Sequence, residues 1–408
     1  MKIVDVAEFY AERGGGVKTY VDQKLAAAAA LGHELVVIAP GTGVREERRG
    51  GGRVVWLKTP KLPVDRRYHV FTRARAIWDA IDREAPDVVE GSSPWLGGWA
   101  VARYRSARHA APLKAFVFHH DPVAVYPQTL LGGALGEARV DRLFAGYWRY
   151  VRALSAGFDA TIAGGEWLAG RLHSFGIHRP LAVPFGVDKA TFCAAQADPQ
   201  LRAQLIAAAG APARAALLIV VSRLHPEKRL FTLIEAARRA AARRPLAIAI
   251  FGDGPLRTLV AAAARRAPVH LAGFTRDRSQ LARALASADG LLHGSSAETY
   301  GLVVAEALCA GLPLIVPDAG GASDLAEPSH AETYAAGDVA GCAAAIERLL
   351  DRDTTQLHRA ARSASARLVR TLDEHFRGLF SAYDQLARER GVPTHPTTAA
   401  ARPHAGAD

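Results

Sequence analysis

Short apolar runs alternate with amphipathic stretches along most of this chain. Runs at 2–7, 35–39, 87–89, 115–118 and 160–163 read as buried strands. The pattern resumes at 216–221, 247–251, 269–272, 291–292 and 312–316. Between these runs lie segments with a helical period. One covers 17–31, with Val17, Tyr20, Val21 and Leu25 on one stripe; others cover 229–239, 302–308 and 339–350. Strands alternating with such helices give βαβ units and a largely parallel sheet. Residues 371–390 predict a long last helix with Leu372, Phe376, Leu379, Phe380, Tyr383 and Leu386 on its stripe. Residues 45–52 are charged and glycine-rich and read as an exposed turn, and 139–152 as a helix that packs its rings into the core. From Gly391 the text is low-complexity, so 391–408 is expected to be disordered.

At 408 residues the chain is too long for one ordinary core. Two α/β domains are expected, over 1–194 and 195–370. The boundary falls at the polar, proline-containing segment 195–200, and the helix over 371–390 follows the second domain.

The stretch 289–324 concentrates the candidate chemistry. Leu291 and Leu292 enter a loop of small residues, followed by Glu298, Gly301, a helical segment containing Glu306, and Gly311 placed to end it. The loop lies at the C-terminal end of a strand, where open α/β sheets bind ligands. Backbone N–H groups of Gly301, Leu302 and Val303 at a helix start favour an anion such as phosphate. Glu306 lies further along the helix and suits a hydroxyl pair such as a ribose diol. Together these features suggest a sugar nucleotide, although spacing alone equally fits a helix cap and a solvated helix residue. Arg223 and Lys228 straddle another strand-end turn, where both cations can reach one pyrophosphate; any surface pair has the same spacing. Gly14, Gly15 and Gly16 follow the first strand, and glycine there lets a backbone approach a ligand closely.

The segment from Glu298 to Glu306 resembles the E-x7-E motif of retaining glycosyltransferases with the GT-B fold. Ala310-Gly311-Leu312-Pro313, Pro317-Asp318-Ala319-Gly320-Gly321, Val183-Pro184-Phe185-Gly186-Val187-Asp188 and Ser222-Arg223-Leu224-His225-Pro226-Glu227-Lys228 resemble further motifs of that family, in order, across about 1–390. Within the family the nearest likeness is to bacterial α-mannosyltransferases that use GDP-mannose, often on lipid-linked acceptors. The resemblance implies two Rossmann-like domains facing a cleft, with the last helix crossing back to the first domain. It also implies Gly15 and Gly16 near donor phosphates and acceptor, and His119 and Glu298 at the transferred sugar. Arg223 and Lys228 would hold the diphosphate, Gly254 and Phe274 would lie near the nucleotide, and Glu306 would hold the ribose. Glu90 stands where those mannosyltransferases carry a histidine. A UDP-sugar enzyme of the same fold shares every motif, and a sugar-nucleotide-binding protein without activity remains as a remote alternative.

Composition narrows the partners. Three widely spaced cysteines form no metal or disulfide pattern, which fits a reducing cytoplasm. His119 and His120 have no third ligand spaced to help them, and the single D-x-D, Asp351-Arg352-Asp353, follows a late helix rather than a strand end. No metal and no cofactor are expected. The net charge of +11 points to nucleic acid or an anionic membrane surface. No nucleic-acid-binding signature occurs, so nucleic acid is set aside. Residues 61–78 mix Arg66, Arg67, Arg73 and Arg75 with Tyr68, Phe71 and Trp78, which suits either an interfacial helix on anionic lipid or an ordinary surface helix.

Overall fold

The computed structural model describes residues 1–12, 16–62, 68–106 and 109–391. The glycine loop around Gly15 and the basic pair Arg66 and Arg67 lie outside the described residues, as does 392–408.

The first sheet holds β1 (Lys2–Val6), β2 (Glu34–Gly41), β3 (Arg45–Arg49), β4 (Gly52–Lys58), β5 (Val88–Gly91), β6 (Leu113–Phe118), β7 (Ala160–Ala163) and β8 (Pro180–Ala182). β9 (Gly186–Val187) follows it. The second sheet holds β10 (Ala216–Val221), β11 (Leu246–Phe251), β12 (Val269–Gly273), β13 (Gly290–Leu292), β14 (Leu314–Pro317) and β15 (Ala331–Tyr334), and β16 (Arg370–Thr371) comes last. Strand order is β3-β4-β2-β1-β5-β6-β7-β8 in the first sheet and β12-β11-β10-β13-β14-β15 in the second. Among the described residues of these two sheets every strand pairing is parallel except β3 with β4. These are two Rossmann-like domains.

Each sheet is buried on both faces, which is why its strands read as continuous apolar runs. In β1, Val4 and Val6 enter one core and Ile3 the opposite one. In β10, Leu217 and Ile219 enter one core and Leu218 and Val220 the other. The last helix, Leu372–Arg390, begins with a capping box between Thr371 and Glu374. It buries Phe376, Leu379, Phe380, Tyr383 and Leu386 in the core beside β1, so it crosses back to the first domain. Just before it, β16 pairs with β9, which brings the chain from the second domain alongside the end of the first.

Three local expectations change. Residues 45–49 form an edge strand rather than a turn; the turn of the hairpin is Gly50 and Gly51, both with positive φ. Charge protects such an edge from pairing with another chain, and it also hides the strand from an apolar pattern. Among the described residues of the 61–78 stretch, the helix begins at Ala74. Phe71 is buried there and Trp78 donates its indole N–H to the Ala100 carbonyl at 2.8 Å, so both rings face the protein. The single helix expected over 139–152 is two, Glu137–Leu143 and Ala145–Ser155, broken at Phe144. Trp148 is buried, whereas Phe144 and Tyr150 are exposed.

Candidate active site

The loop after β13 runs from His293 to Tyr300, and Gly301, with φ of 86°, starts the Leu302–Cys309 helix. It packs closely on the turn after β10. A side chain at Gly294 would stand 2.5 Å from the Lys228 carbonyl oxygen, so only glycine fits there. The turn itself, Pro226–Lys228, brings the Lys228 ammonium onto the Glu298 carboxylate, to which it donates. His293 Nε2 lies 3.8 Å from the same carboxylate oxygen. Burial raises the Glu298 carboxyl, but Lys228, His293 and Arg223 outweigh it and hold the group below the ordinary carboxylate value.

Arg223 reaches into solvent, with 71% of its side chain exposed, and bonds Glu227 Oε1 at 3.1 Å. Glu227 is buried and also pairs with His225. Gly254 fits tightly under this turn, since a Cβ would meet the Leu224 carbonyl oxygen at 2.6 Å. Phe274 stands 67% exposed just beyond β12, an unusual position for a large apolar ring.

Glu306 is buried on the Leu302–Cys309 helix, and Arg278 donates to it. Burial raises its carboxyl, and the Arg278 charge partly opposes that. Leu302 is exposed and Val303 half-buried at the first turn, where helix N–H groups lack carbonyl partners within the helix.

The first domain meets this loop at His119, at the end of β6. Its carbonyl accepts from Thr299 Oγ1 at 3.3 Å, one residue from Glu298. The imidazole lies 5.3 Å from the Tyr20 ring and stacks on Phe185 at 6.2 Å. Burial brings it down to about 4, so it is neutral at pH 7. Gly16 opens the Gly16–Ala30 helix, with open space where a side chain would stand. Thus Lys228, Glu298 and the His119 backbone come together, Arg223 acts on Glu298 through its charge, and Glu306 is engaged with a separate partner.

Sequence reasoning gave no role to four residues at this junction. His293 is buried, its imidazole brought down to about 4 chiefly by burial, and its Nε2 has no hydrogen-bond partner among the described residues. Arg229, in left-handed backbone, donates to Ser296 Oγ at 2.7 Å. Arg278 holds Glu306. Asp324, from the second domain, accepts the Trp167 N–H at 2.9 Å and so caps the Glu166–Ser174 helix of the first. Only His293, at a strand end, left a local signal.

Among the described residues no group of three or more His, Cys, Asp or Glu is arranged to hold a metal. In the D-x-D, Asp351 pairs with Arg244 and Asp353 caps the Thr354–Leu368 helix. Among the same residues no helix is long and apolar enough to cross a membrane.

Two facing Rossmann-like domains with strand-end loops meeting between them define a GT-B glycosyltransferase fold. Residues 14–191 match the family described as Glycosyltransferase Family 4, and residues 215–352 match Glycosyl transferases group 1. A GDP-mannose-dependent alpha-mannosyltransferase of Mycobacterium tuberculosis is 31% identical over 338 residues, covering 80% of this chain and 82% of its own. A GDP-mannose-dependent alpha-(1-6)-phosphatidylinositol dimannoside mannosyltransferase of the same species is 29% identical over 324 residues, covering 78% and 79%. The sucrose-phosphate synthase structure from Thermosynechococcus elongatus superposes with a TM-score of 0.73 at 20% identity, covering 95% of this chain and 99% of that one. The chain belongs to this glycosyltransferase family.

Proposed function

We propose that the protein transfers a mannosyl group from GDP-mannose, with retention of configuration, onto a lipid-linked or glycan acceptor. The observation that carries a nucleotide-sugar donor is the convergence of Lys228, Glu298 and the Leu302–Cys309 helix start at one strand-end loop. Mannose is supported by the two mycobacterial relatives, whose names specify GDP-mannose.

In this reading Arg223, Lys228 and the N–H groups of Gly301, Leu302 and Val303 bind the diphosphate. They stabilise its charge as the bond from C1 to the phosphate oxygen breaks. The acceptor hydroxyl oxygen bonds C1 on the same face, through an oxocarbenium-like state, and its proton passes to the departing phosphate oxygen. Glu298 and neutral His119 hold hydroxyls of the transferred sugar. Glu306 holds the ribose, Gly254 and Phe274 border the nucleotide, and Gly15 and Gly16 are assigned to the donor phosphates and acceptor. Fixed cationic stabilisation of this kind can serve without a metal.

Peripheral contact with an anionic membrane on the cytoplasmic side belongs to the same proposal. Exposed Leu130, Leu131, Leu143 and Phe144 beside exposed Arg139 and Arg142 support it better than the inward-facing Phe71 and Trp78 do.

The test is thermal shift and product analysis with GDP-mannose, UDP-glucose and UDP-N-acetylglucosamine. GDP-mannose should raise the melting temperature most and be turned over. A larger shift and faster turnover with either UDP-sugar would replace the mannosyl assignment.

A further inference from the structure

The last helix buries an imidazole that the reaction described above does not use. His375 is 2% exposed and sits beside Phe376 on the face turned to the core. An imidazole placed there costs free energy unless its nitrogens find partners. Both do. The Pro184 carbonyl lies 2.8 Å from Nδ1 and can only accept, so Nδ1 carries the proton. Nε2 is then the acceptor for the Tyr20 hydroxyl at 3.1 Å. Burial is the main reason the imidazole comes down to about 4, so it is neutral at pH 7. Neither partner belongs to the last helix. Tyr20 stands on the Gly16–Ala30 helix, and Pro184 precedes β9.

These contacts lead to the His119 imidazole. Two rings pack on it, Tyr20 edge-on at 5.3 Å and Phe185 nearly parallel at 6.2 Å. His375 touches both. It anchors the hydroxyl end of Tyr20, and its own ring lies 5.5 Å from that of Phe185. Phe376 closes the other side of Tyr20 at 5.6 Å. Phe185 also meets Tyr300 edge-on at 5.8 Å, two residues beyond Glu298. A set of braced rings thus runs from His119 to the loop that carries Glu298, with His375 behind it.

We infer that His375 is a positioning residue: from the last helix it fixes Tyr20 and Phe185, and through them the orientation of the His119 imidazole toward the transferred sugar. This rests on the assignment of His119 to that sugar and adds the group that holds it in place. Loss of the Tyr20 bond lets the ring set tilt, and a misplacement of about 1 Å can cost on the order of 100-fold in rate.

GDP-mannose consumption by the full chain tests it, together with magnetic resonance of protein isotope-labelled in histidine. His119→Ala identifies the His119 ring signal by its loss. His375→Asn keeps a donor near Nδ1 but falls short of Tyr20. It should lower kcat at least about tenfold and leave GDP affinity unchanged. Tyr20→Phe removes only a hydroxyl and should match it. His375→Gln, whose amide oxygen reaches about as far as Nε2, should recover most of the loss. In a His119→Ala background, His375→Asn should cost less than about twofold more, a coupling that a merely structural role would not produce. The His119 signal should move in His375→Asn and Tyr20→Phe and return in His375→Gln. The inference is overturned if rate and signal are unchanged in both weakened variants, if the loss persists in full without His119, or if His375→Gln recovers nothing. Should His375→Asn fail to fold, Tyr20→Phe decides by the same two measurements. If the parent leaves GDP-mannose untouched, the donor assignment fails, and the His119 signal alone decides the inference.

Discussion

The Lys228 ammonium donates to the Glu298 carboxylate across two loops of the second domain, 70 residues apart in sequence. One group suits a diphosphate and the other a sugar hydroxyl, so a nucleotide sugar would lie along both. Lys228→Met should therefore act twice. It removes a cation from the developing phosphate charge, and it lets burial push the Glu298 carboxyl up. Turnover should fall at least about 100-fold, or about 2.7 kcal/mol. Arg223→Ala should weaken GDP binding as well. Normal turnover in both variants, measured by donor consumption, would remove the diphosphate assignment.

A second cluster predicts a dependence of stability on pH. Lys24 is buried between Asp5 and Glu90, which sit side by side on paired strands. One ammonium cannot neutralise two buried carboxylates. Burial and Asp5 push the Glu90 carboxyl up to about 7, against the pull of Lys24; Tyr20, Tyr383, His119 and His375 also interact with this cluster. Its ordinary value is 4.5, so between these two the folded protein keeps a proton that the unfolded chain has released. That contribution is complete below pH 4.5 and lost as pH rises through 7. Glu90→Gln should remove it. The melting temperature of the variant relative to the parent should climb from pH 4.5 to pH 7.5, and a flat difference would count against the shift.

The parts of the fold that follow apolar periodicity were legible in the sequence. β1, β2, β5, β6 and β7 of the first sheet, β10 to β14 of the second and the stripe of the last helix are of this kind; β4, β8 and β15 were not read as strands. The strand Arg45–Arg49 was not, because REERR has no apolar member and its stability comes from pairing with β4. The Thr354–Leu368 helix was also missed; its buried face is Leu357, Ala361 and Ala364, too slight to set a period. At the site, Arg223, Lys228, Glu298 and Glu306 stand out locally at strand ends and helix starts. The Arg278–Glu306 and Trp167–Asp324 contacts span 28 and 157 residues, and no local pattern carries them.

The Asp324 contact predicts a stability effect with an interdomain origin. Its carboxylate takes both oxygens to the Trp167 N–H, at 2.9 and 3.1 Å, and supplies the cap that Gly165 lacks. Loss of a helix cap typically costs about 1 kcal/mol. Asp324→Ala should lower stability by about that much in urea titration. An unchanged midpoint in the full chain would show that the cap carries no weight.

The exposed apolar and basic residues around 130–144 predict salt-sensitive lipid binding. Each basic residue near an anionic surface adds about 1 kcal/mol. Sedimentation with phosphatidylglycerol vesicles should show binding that weakens at high salt and is reduced by Leu130→Ser with Leu131→Ser. Equal binding to neutral vesicles, or none, would leave the net charge of +11 unrelated to membranes.

Glu298 and Glu306 should separate in kinetics. Glu298 lies beside Lys228 and one residue from the Thr299–His119 contact, where the proposed function puts the transferred sugar. Glu306 is buried further along the helix and held by Arg278, where the proposed function puts the ribose. Only the sugar changes charge and shape as its bond to phosphate breaks. A group contacting it can act more strongly on the transition state than on the bound donor, and its loss lowers kcat. A group holding the ribose contributes binding common to both states, and its loss raises KM. Glu298→Gln should therefore lower kcat with little effect on GDP affinity. Glu306→Gln should weaken GDP and raise donor KM more than it lowers kcat. Calorimetry with GDP and donor kinetics measure the pair. If Glu298→Gln weakens free GDP as much as Glu306→Gln does, the two carboxylates share one role and the placement of the sugar against Glu298 is wrong.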